Sequence, residues 1–480
     1  MSSSHPLDLP EILSTVALHL PDRWSLLACA CVSKSWHQVF NAHVWRSIQI
    51  DKERPDLPKA IHSYSHLVRN LILDRTPAEE HVALRCPNLA SLYVRCVPKA
   101  PDVTEFVTDH RFLIRLRLEG YSFSPLPTFW AKLLQLRHLK DLMLSDMALG
   151  IDHVDTFWDL CAQLERLEIR KFRISSEGDL KSRTFPYLTE LSMWHFTQRD
   201  VPLILGFARR CPMLKLIDWV IDSEIDAEVD TEDYYDVDVE FVSGFAQLIT
   251  EGTWPELDSV HVGCADITNE DLCKIIGGMK QIRTLEIRYS PESFQSNSMD
   301  LLRPHFSNIR ILELQPNDNS VATIAQEVMS SCPLLEQLMV PRIDAALIAE
   351  GKPWVCLKLE SLNIGLKFDP STLSRIQPLV LNQLSRLTRL QEIFIWGNKD
   401  EENPGATVDL RLERGLDKLA TLKSLRIVCL SDGTQKMNDQ EIDWMVEHWT
   451  SLICMFGVLN EDPKKDADLK ARLSLHGVSA

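Results

Sequence analysis

"CPNLASLYV", residues 86–94, decides how the rest of this chain is read. Leu89, Leu92 and Val94 stand at L-x-x-L-x-L spacing. The last two point to one side of a short extended segment, and their neighbours point to the other. The same spacing recurs in "FLIRLRLEG" (112–120), "LRHLKDLML" (136–144), "CAQLERLEI" (161–169) and "FPYLTELSM" (185–193). It returns in "WPELDSVHV" (254–262), "MKQIRTLEI" (279–287), "FSNIRILEL" (306–314), "CPLLEQLMV" (332–340), "CLKLESLNI" (356–364), "LTRLQEIFI" (387–395) and "LATLKSLRI" (419–427).

Counting from the first apolar residue of each motif, the series runs Val68, Leu89, Leu113, Leu139, Leu164, Leu188, Leu214, Leu257, Ile282, Ile309, Leu335, Leu359, Leu390, Leu422 and, weakly, Leu452. Its spacings are 21, 24, 26, 25, 24, 26, 43, 25, 27, 26, 24, 31, 32 and 30 residues. A near-constant period of this length marks a leucine-rich-repeat solenoid, in which each repeat buries its apolar edge only against its neighbours. Between the strands, "VPLILGFARR" (201–210), "NEDLCKIIGG" (269–278) and "VATIAQEVMS" (321–330) have apolar spacings of three and four, the mark of helices packed on one face. The expected fold is α/β: a curved parallel inner sheet with outer helices over residues 67–458. The Asn or Cys that usually follows the strand in such repeats stands only at Asn317 and Asn398; Val97, Tyr121, Met147, Phe172 and Phe196 occupy it elsewhere. The repeats are therefore degenerate, and a regular side-chain ladder is not expected.

The long spacing of 43 contains "IDSEIDAEVDTEDYYDVDVE" (221–240), ten carboxylates without a cation. It reads as a solvated acidic insertion, with docking of a basic partner as the second reading. No glycine stands where a calcium loop needs one. The stretch 460–480 is charged and reads as a frayed or weakly helical tail.

With 51 Lys and Arg against 68 Asp and Glu, the formal charge is −17. That opposes a general nucleic-acid or anionic-membrane binder. Twelve cysteines in 480 residues are too few for a disulfide scaffold. Cys86, Cys211 and Cys332 each precede a strand in a Cys-Pro pair, far apart and without Cys-x-x-Cys or His partners, so they read as buried thiols rather than metal ligands. Met1-Ser2-Ser3-Ser4 starts no basic-then-apolar signal, and the seven-residue run Leu26–Val32 is too short for a membrane span. The expected setting is cytoplasmic, nuclear or both. None of G-x-S-x-G, a Gly-Lys-Ser/Thr phosphate loop, H-E-x-x-H or G-x-G-x-x-G occurs. His37, His43, His62 and His66 lack the spacing of a site. The expectation is a non-catalytic protein with no cofactor and no metal.

The front of the chain follows a different rule. "LDLPEILSTVALHLPDRWSLLACACVSKSW" (7–36) reads as short helices. Pro10 suits a first helical turn, Pro21-Asp22 breaks it, and Asp22 can cap the next helix. The opening "LP-x-I", the central "CVSKSW" and the closing "VWRSI" closely resemble an F-box over about residues 6–50. The opening is one residue tighter than the longer "LP-x-E-I" form, since Glu11 follows Pro10 directly. An F-box followed by degenerate leucine-rich repeats resembles the F-box/leucine-rich-repeat proteins of the fungal type. That resemblance implies a substrate receptor of a Skp-cullin-F-box ubiquitin ligase: the F-box docks on a Skp-family adaptor, through it on a cullin, and the repeats take an unknown target protein. A leucine-rich-repeat scaffold or regulator acting outside any ligase is the alternative. A GTPase-regulating repeat protein fits less well, because its repeats are longer and more regular and its acidic stretch is terminal.

The divisions expected are an F-box at 1–50, a linker at 51–66, the solenoid at 67–458 and a tail at 459–480. A module of some 45 residues hides little apolar surface by itself. Leu9, Pro10, Ile12, Leu13, Val32, Trp36 and Trp45 are the residues expected to meet the adaptor. On the solenoid, the outward positions Tyr93, Arg95, Arg115, Arg117, Arg166, Arg170, Trp194, Phe394 and Trp396 are the expected target-binding set. The five arginines suggest an acidic or phosphorylated target segment, against the plainer reading of a solvated face of mixed charge.

Overall fold

A computed structural model describes residues 9–20, 22–50, 57–74, 84–95, 104–123, 128–174, 176–196, 200–220, 236–263, 267–288, 294–314, 320–396 and 408–480. Of the acidic stretch 221–240, residues 221–235 lie outside these, as do the positions Val97, Asn317 and Asn398, while 236–240 begin the helix Asp236–Thr250 rather than continuing a loop.

Three helices open the chain: α1 (Pro10–His19), α2 (Arg23–Ala30) and α3 (Lys34–Val44). Pro10 occupies the first turn of α1. Asp22 Oδ1 accepts from Ser25 N at 2.8 Å at the start of α2, and Ser33 Oγ accepts from Trp36 N at 3.2 Å at the start of α3. Both caps satisfy amides that the helix cannot. Leu13, Ala17, Ala30 and Phe40 form the interior, with Trp36 stacked on Phe40 at 5.3 Å.

The repeats divide into two compact units, Met1–Leu214 and Lys215–Ala480. In the first, seven strands pair in parallel in chain order: β1 (Ser47–Ile50), β2 (Asn70–Asp74), β3 (Ser91–Arg95), β4 (Arg115–Phe123), β5 (Asp141–Leu149), β6 (Arg166–Ile174) and β7 (Glu190–Trp194). Register places Leu71, Leu92, Leu116, Leu142, Leu167 and Leu191 side by side, all buried. The leading leucines Leu89, Leu113, Leu139, Leu164 and Leu188 are buried as well. The L-x-x-L-x-L spacing is thus a turn residue and two strand residues that fill one core. Helices Thr104–Asp109, Thr128–Leu133, Val154–Cys161 and Val201–Ala208 accompany these strands. Aromatic rings join several of them, with Trp130 edge-on to Phe157 at 5.4 Å and Trp158 stacked on Phe207 at 5.1 Å.

The sheet begins earlier than the repeat spacing indicates. β1 lies inside the F-box resemblance, and its Ile48 and Ile50 are fully buried against β2. The expected linker at 51–66 contains a helix, Leu57–Tyr64, with Ile61 fully buried, so this stretch serves as a short repeat.

The second unit pairs β8 (Leu216–Val220), β9 (Ser259–Gly263), β10 (Thr284–Arg288), β11 (Ile311–Leu314), β12 (Gln337–Asp344), β13 (Ser361–Lys367), β14 (Glu392–Trp396), β15 (Ile427–Thr434) and β16 (Cys454–Val458), all parallel. Helices Asn269–Gly278 and Ser320–Ser331 stand where the apolar spacing puts them. Gly278 ends its helix by permitting close approach: an added Cβ would sit 2.6 Å from Ile249 Cγ2. Of the two expectations for the charged tail, frayed or weakly helical, the helical one is found. Pro463–Leu475 is a helix with Leu469 and Leu473 fully buried. Ser479 then lies beside β16, donating to Ile453 O at 2.8 Å and accepting from Met455 N at 2.7 Å.

Where a regular asparagine ladder is missing, assorted buried side chains bind the backbone instead. His110 Nε2 accepts from Cys86 N at 3.2 Å, and its Nδ1 lies 2.6 Å from Phe106 O. Gln326 takes Lys352 O at 2.9 Å and Trp354 Nε1 at 2.9 Å. Gln377 and Gln435 do the same for residues 408–414. Each satisfies main-chain groups that would otherwise be stranded away from water.

Candidate interaction surfaces

The first surface is built by α1–α3. Helix α1 has no fully polar face. Leu13 and Ala17, four apart, turn inward, while Ile12 and Val16, also four apart, remain exposed. Leu9 and Leu18 are exposed on the same helix region, at 42% and 63%. Trp24 on α2 is 77% exposed, Leu27 is exposed, and Val32 in the next turn is 63% exposed. Exposed apolar side chains of this size on so small a module call for a partner.

Of the expected set, Leu9, Pro10, Ile12 and Val32 face solvent. Leu13 does not: at 1% exposure it fills the interior of the helical knot. Trp36 is half-buried and committed to Phe40. Trp45 is also turned to internal use. Its ring stacks on Tyr64 at 4.5 Å, its Nε1 donates to Asn41 Oδ1 at 3.0 Å, and the Arg23 guanidinium lies 5.8 Å from its centre. The large anchors missing from the expected set are Leu18 and Trp24. The signal for Leu18 was the double apolar stripe of α1, since one stripe suffices for the core.

The second surface is the outward face of the strands. In the first unit most of its arginines lie beside acids, which favours the plainer reading of a face of mixed charge. Arg115 Nε donates to Asp141 Oδ2 at 2.6 Å across β4 and β5. Arg95 lies 3.3 Å from Asp74 and 3.4 Å from Glu119, flanked by its two neighbouring strands. Arg166 meets Glu190 at 3.3 Å, and Arg170 meets Glu168 at 2.5 Å while covering the Trp194 ring at 4.2 Å. Tyr93 donates its hydroxyl to Glu119, and burial together with that carboxylate raises its pKa. Arg117, in register between Tyr93 and Met143, has no carboxylate partner among the described residues.

In the second unit, Phe394 is half-buried on β14 between Asn363 and Cys429 in register. Trp396 is 38% exposed and donates to Asn363 Oδ1. Phe456 on β16, absent from the expected set, is 48% exposed. His261 sits between acids, its Nδ1 3.9 Å from Asp218 and its Nε2 3.4 Å from Glu286.

Cys86, Cys211 and Cys332 are buried, as their sequence setting suggests. Burial pushes the thiols of Cys86 and Cys332 up to about 11 and about 12, where they are poor ligands and nucleophiles at neutral pH. Among the described residues no group of three or more His, Cys, Asp or Glu side chains could hold a metal ion, and no helix is long and apolar enough to cross a membrane.

Residues 8–51 match the F-box-like family model, so the helical knot of α1–α3 is an F-box-like domain. No curated protein matches the chain. Among solved structures, "Crystal structure of PEPR1-AtPEP1" is similar at 15% identity and a TM-score of 0.30, covering 77% of this chain and 45% of that one. The matched chain is therefore more than twice as long as the part this protein aligns with.

Proposed function

We propose that this protein is a substrate-recognition adaptor of a Skp-cullin-F-box ubiquitin ligase, acting in the cytoplasm, the nucleus or both. F-box domains generally bind Skp-type adaptors, and they are typical of non-catalytic subunits. The observation that supports this reading best is the apolar surface of α1 and α2: Leu9, Ile12, Leu18 and Trp24 are exposed beside a core that is already filled. A partner that covers them gains apolar burial worth roughly 25 cal/mol per Å². The leucine-rich repeats then hold a target protein on the outward strand face. Trp194 in the first unit, and separately Phe394 and Trp396 in the second, are the aromatic anchors offered. Its balance of charge favours a target matched side chain by side chain over a uniformly acidic one.

Affinity purification tests the reading. Wild type is expected to retain a Skp-type adaptor and a cullin. A variant carrying L9A, I12A and W24A is expected to lose both and keep any target bound to the repeats. Adaptor without cullin would place the protein outside a ligase, and no adaptor with wild type would remove the proposal.

A further inference from the structure

Each strand is preceded by one residue whose main chain is hydrogen-bonded to its counterpart in the next repeat. In the first unit the row runs Arg46, Arg69, Ala90, Ile114, Lys140, Glu165. In the second it runs Lys215, Asp258, Arg283, Arg310, Glu336, Glu360, Gln391, Arg426. Several cations in these rows have an acid one step away. Lys140 meets Glu165 at 3.5 Å, Arg283 meets Asp258 at 3.3 Å, and Arg310 meets Glu336 at 2.7 Å. Arg46 and Arg69 break that pattern. They are neighbours of like charge, locked together because Arg46 O accepts from both Arg69 N and Asn70 N at 2.9 Å.

The two arginines line a cavity of about 510 Å³ between α3 and the starts of β2 and β3, together with His43, His66, Asn70 and Ala90. Among the described residues no carboxylate lines it. Among the described residues the Arg69 side chain makes a polar contact to Asn88 O at 3.4 Å, a neutral acceptor. His43 feels the imbalance: burial first, and then the Arg46 charge, push its pKa down. The volume lies in the range of small-ligand sites, and a guanidinium fork suits phosphate oxygens.

We infer that this cavity at the junction of the F-box-like domain and the first repeats binds a phosphate monoester or other small phosphate-bearing anion through Arg46 and Arg69. Such a ligand supplies the negative charge that an acidic neighbour supplies beside Lys140, Arg283 and Arg310. The phosphate can come from a free small molecule or from a phosphorylated side chain.

Titration calorimetry on the full chain in low salt, with pyrophosphate as probe, tests the site. Wild type is expected to give saturable heat. The R46Q/R69Q variant is expected to bind about tenfold more weakly or worse, as loss of charge-assisted hydrogen bonds does. R310Q, in the same row but paired with Glu336, is expected to bind as wild type. Both arginines are exposed, so the double variant should keep its thermal midpoint; if it does not, R46Q and R69Q are titrated separately. Glucose 6-phosphate and phosphoserine then tell the two sources apart by which binds tighter. Absence of saturable binding by wild type at about 1 mM, equal binding by wild type and the arginine variants, or equal displacement by sulfate would overturn the inference.

Discussion

Gln377 and Asp409 exchange two hydrogen bonds: Gln377 Nε2 donates to Asp409 O at 2.8 Å, and Asp409 N donates to Gln377 Oε1 at 2.9 Å. The same Nε2 also donates to Arg414 O at 2.9 Å, and the side chain is 2% exposed. One amide thus binds an irregular segment to the helix Leu373–Leu384 in the manner of a strand partner. Replacing Gln377 by Leu leaves those main-chain groups buried and unpaired. The expected cost is about 3 kcal/mol, with each stranded group contributing about 1–3. Urea unfolding followed by circular dichroism measures it, and an unchanged midpoint would show the clamp to be idle.

His110 makes stability depend on pH. Its Nε2 accepts from Cys86 N, which only an unprotonated ring nitrogen can do, and its Nδ1 then donates to Phe106 O. Burial lowers its pKa below the ordinary 6.5. The folded state therefore binds the proton less readily than the unfolded state. The contribution is fully present above pH 6.5 and is lost as pH falls through the folded-state pKa. Thermal midpoints should fall between pH 7.5 and pH 5.5, and H110Q should lose part of that slope. His43 and His305, also lowered by burial, share in the remainder. An identical slope in H110Q would remove His110 from the account.

Trp24 and Trp36 separate surface from core within one small domain. Trp24 is 77% exposed, whereas Trp36 is packed on Phe40. W24A should leave the thermal midpoint nearly unchanged while weakening adaptor capture at least about tenfold, as loss of a central aromatic anchor does. W36A should cost about 2 kcal/mol of stability. Equal effects of the two variants on the midpoint would contradict this division.

The Arg115–Asp141 pair joins an exposed cation to a largely buried acid. Arg115 is half-exposed at 52% but Asp141 is only 12% exposed, so R115A strands the carboxylate and should cost about 1–3 kcal/mol. R115E places like charges on adjacent strands and should cost more than R115A, and adding D141R should restore part of the loss. A double-mutant cycle by chemical unfolding measures the coupling; no recovery in R115E/D141R would show that Asp141 does not answer Arg115.

The strands were legible because Leu92, Leu116 and Leu142 recur with a leading leucine three residues earlier, and that spacing has no other economical packing. β1 was hidden because Ile48 and Ile50 form a bare pair with no leading leucine, inside a segment already claimed by the F-box resemblance. Arg115 and Asp141 are 26 residues apart, so their pairing exists only once register is set. The buried clamps escaped for a related reason. His110, Gln326 and Gln377 come from different positions in their repeats, and nothing in composition distinguishes them from surface polar residues. In the F-box-like segment, sequence alone does not tell the inward Leu13 and Trp45 from interface residues, because an apolar residue in a small module satisfies core and interface alike. Only the packing of Leu13 with Phe40 and of Trp45 with Tyr64 decides between them.

Ser479 has a bearing on how the protein behaves in a crowded solution. A terminal parallel strand with free amides is a template for indefinite growth, one molecule adding to the next. By taking Met455 N and Ile453 O, a few residues folded back beyond a helix deny that template to strangers. At this edge of β16 the main-chain groups of Ile453 and Met455 are already paired within the chain.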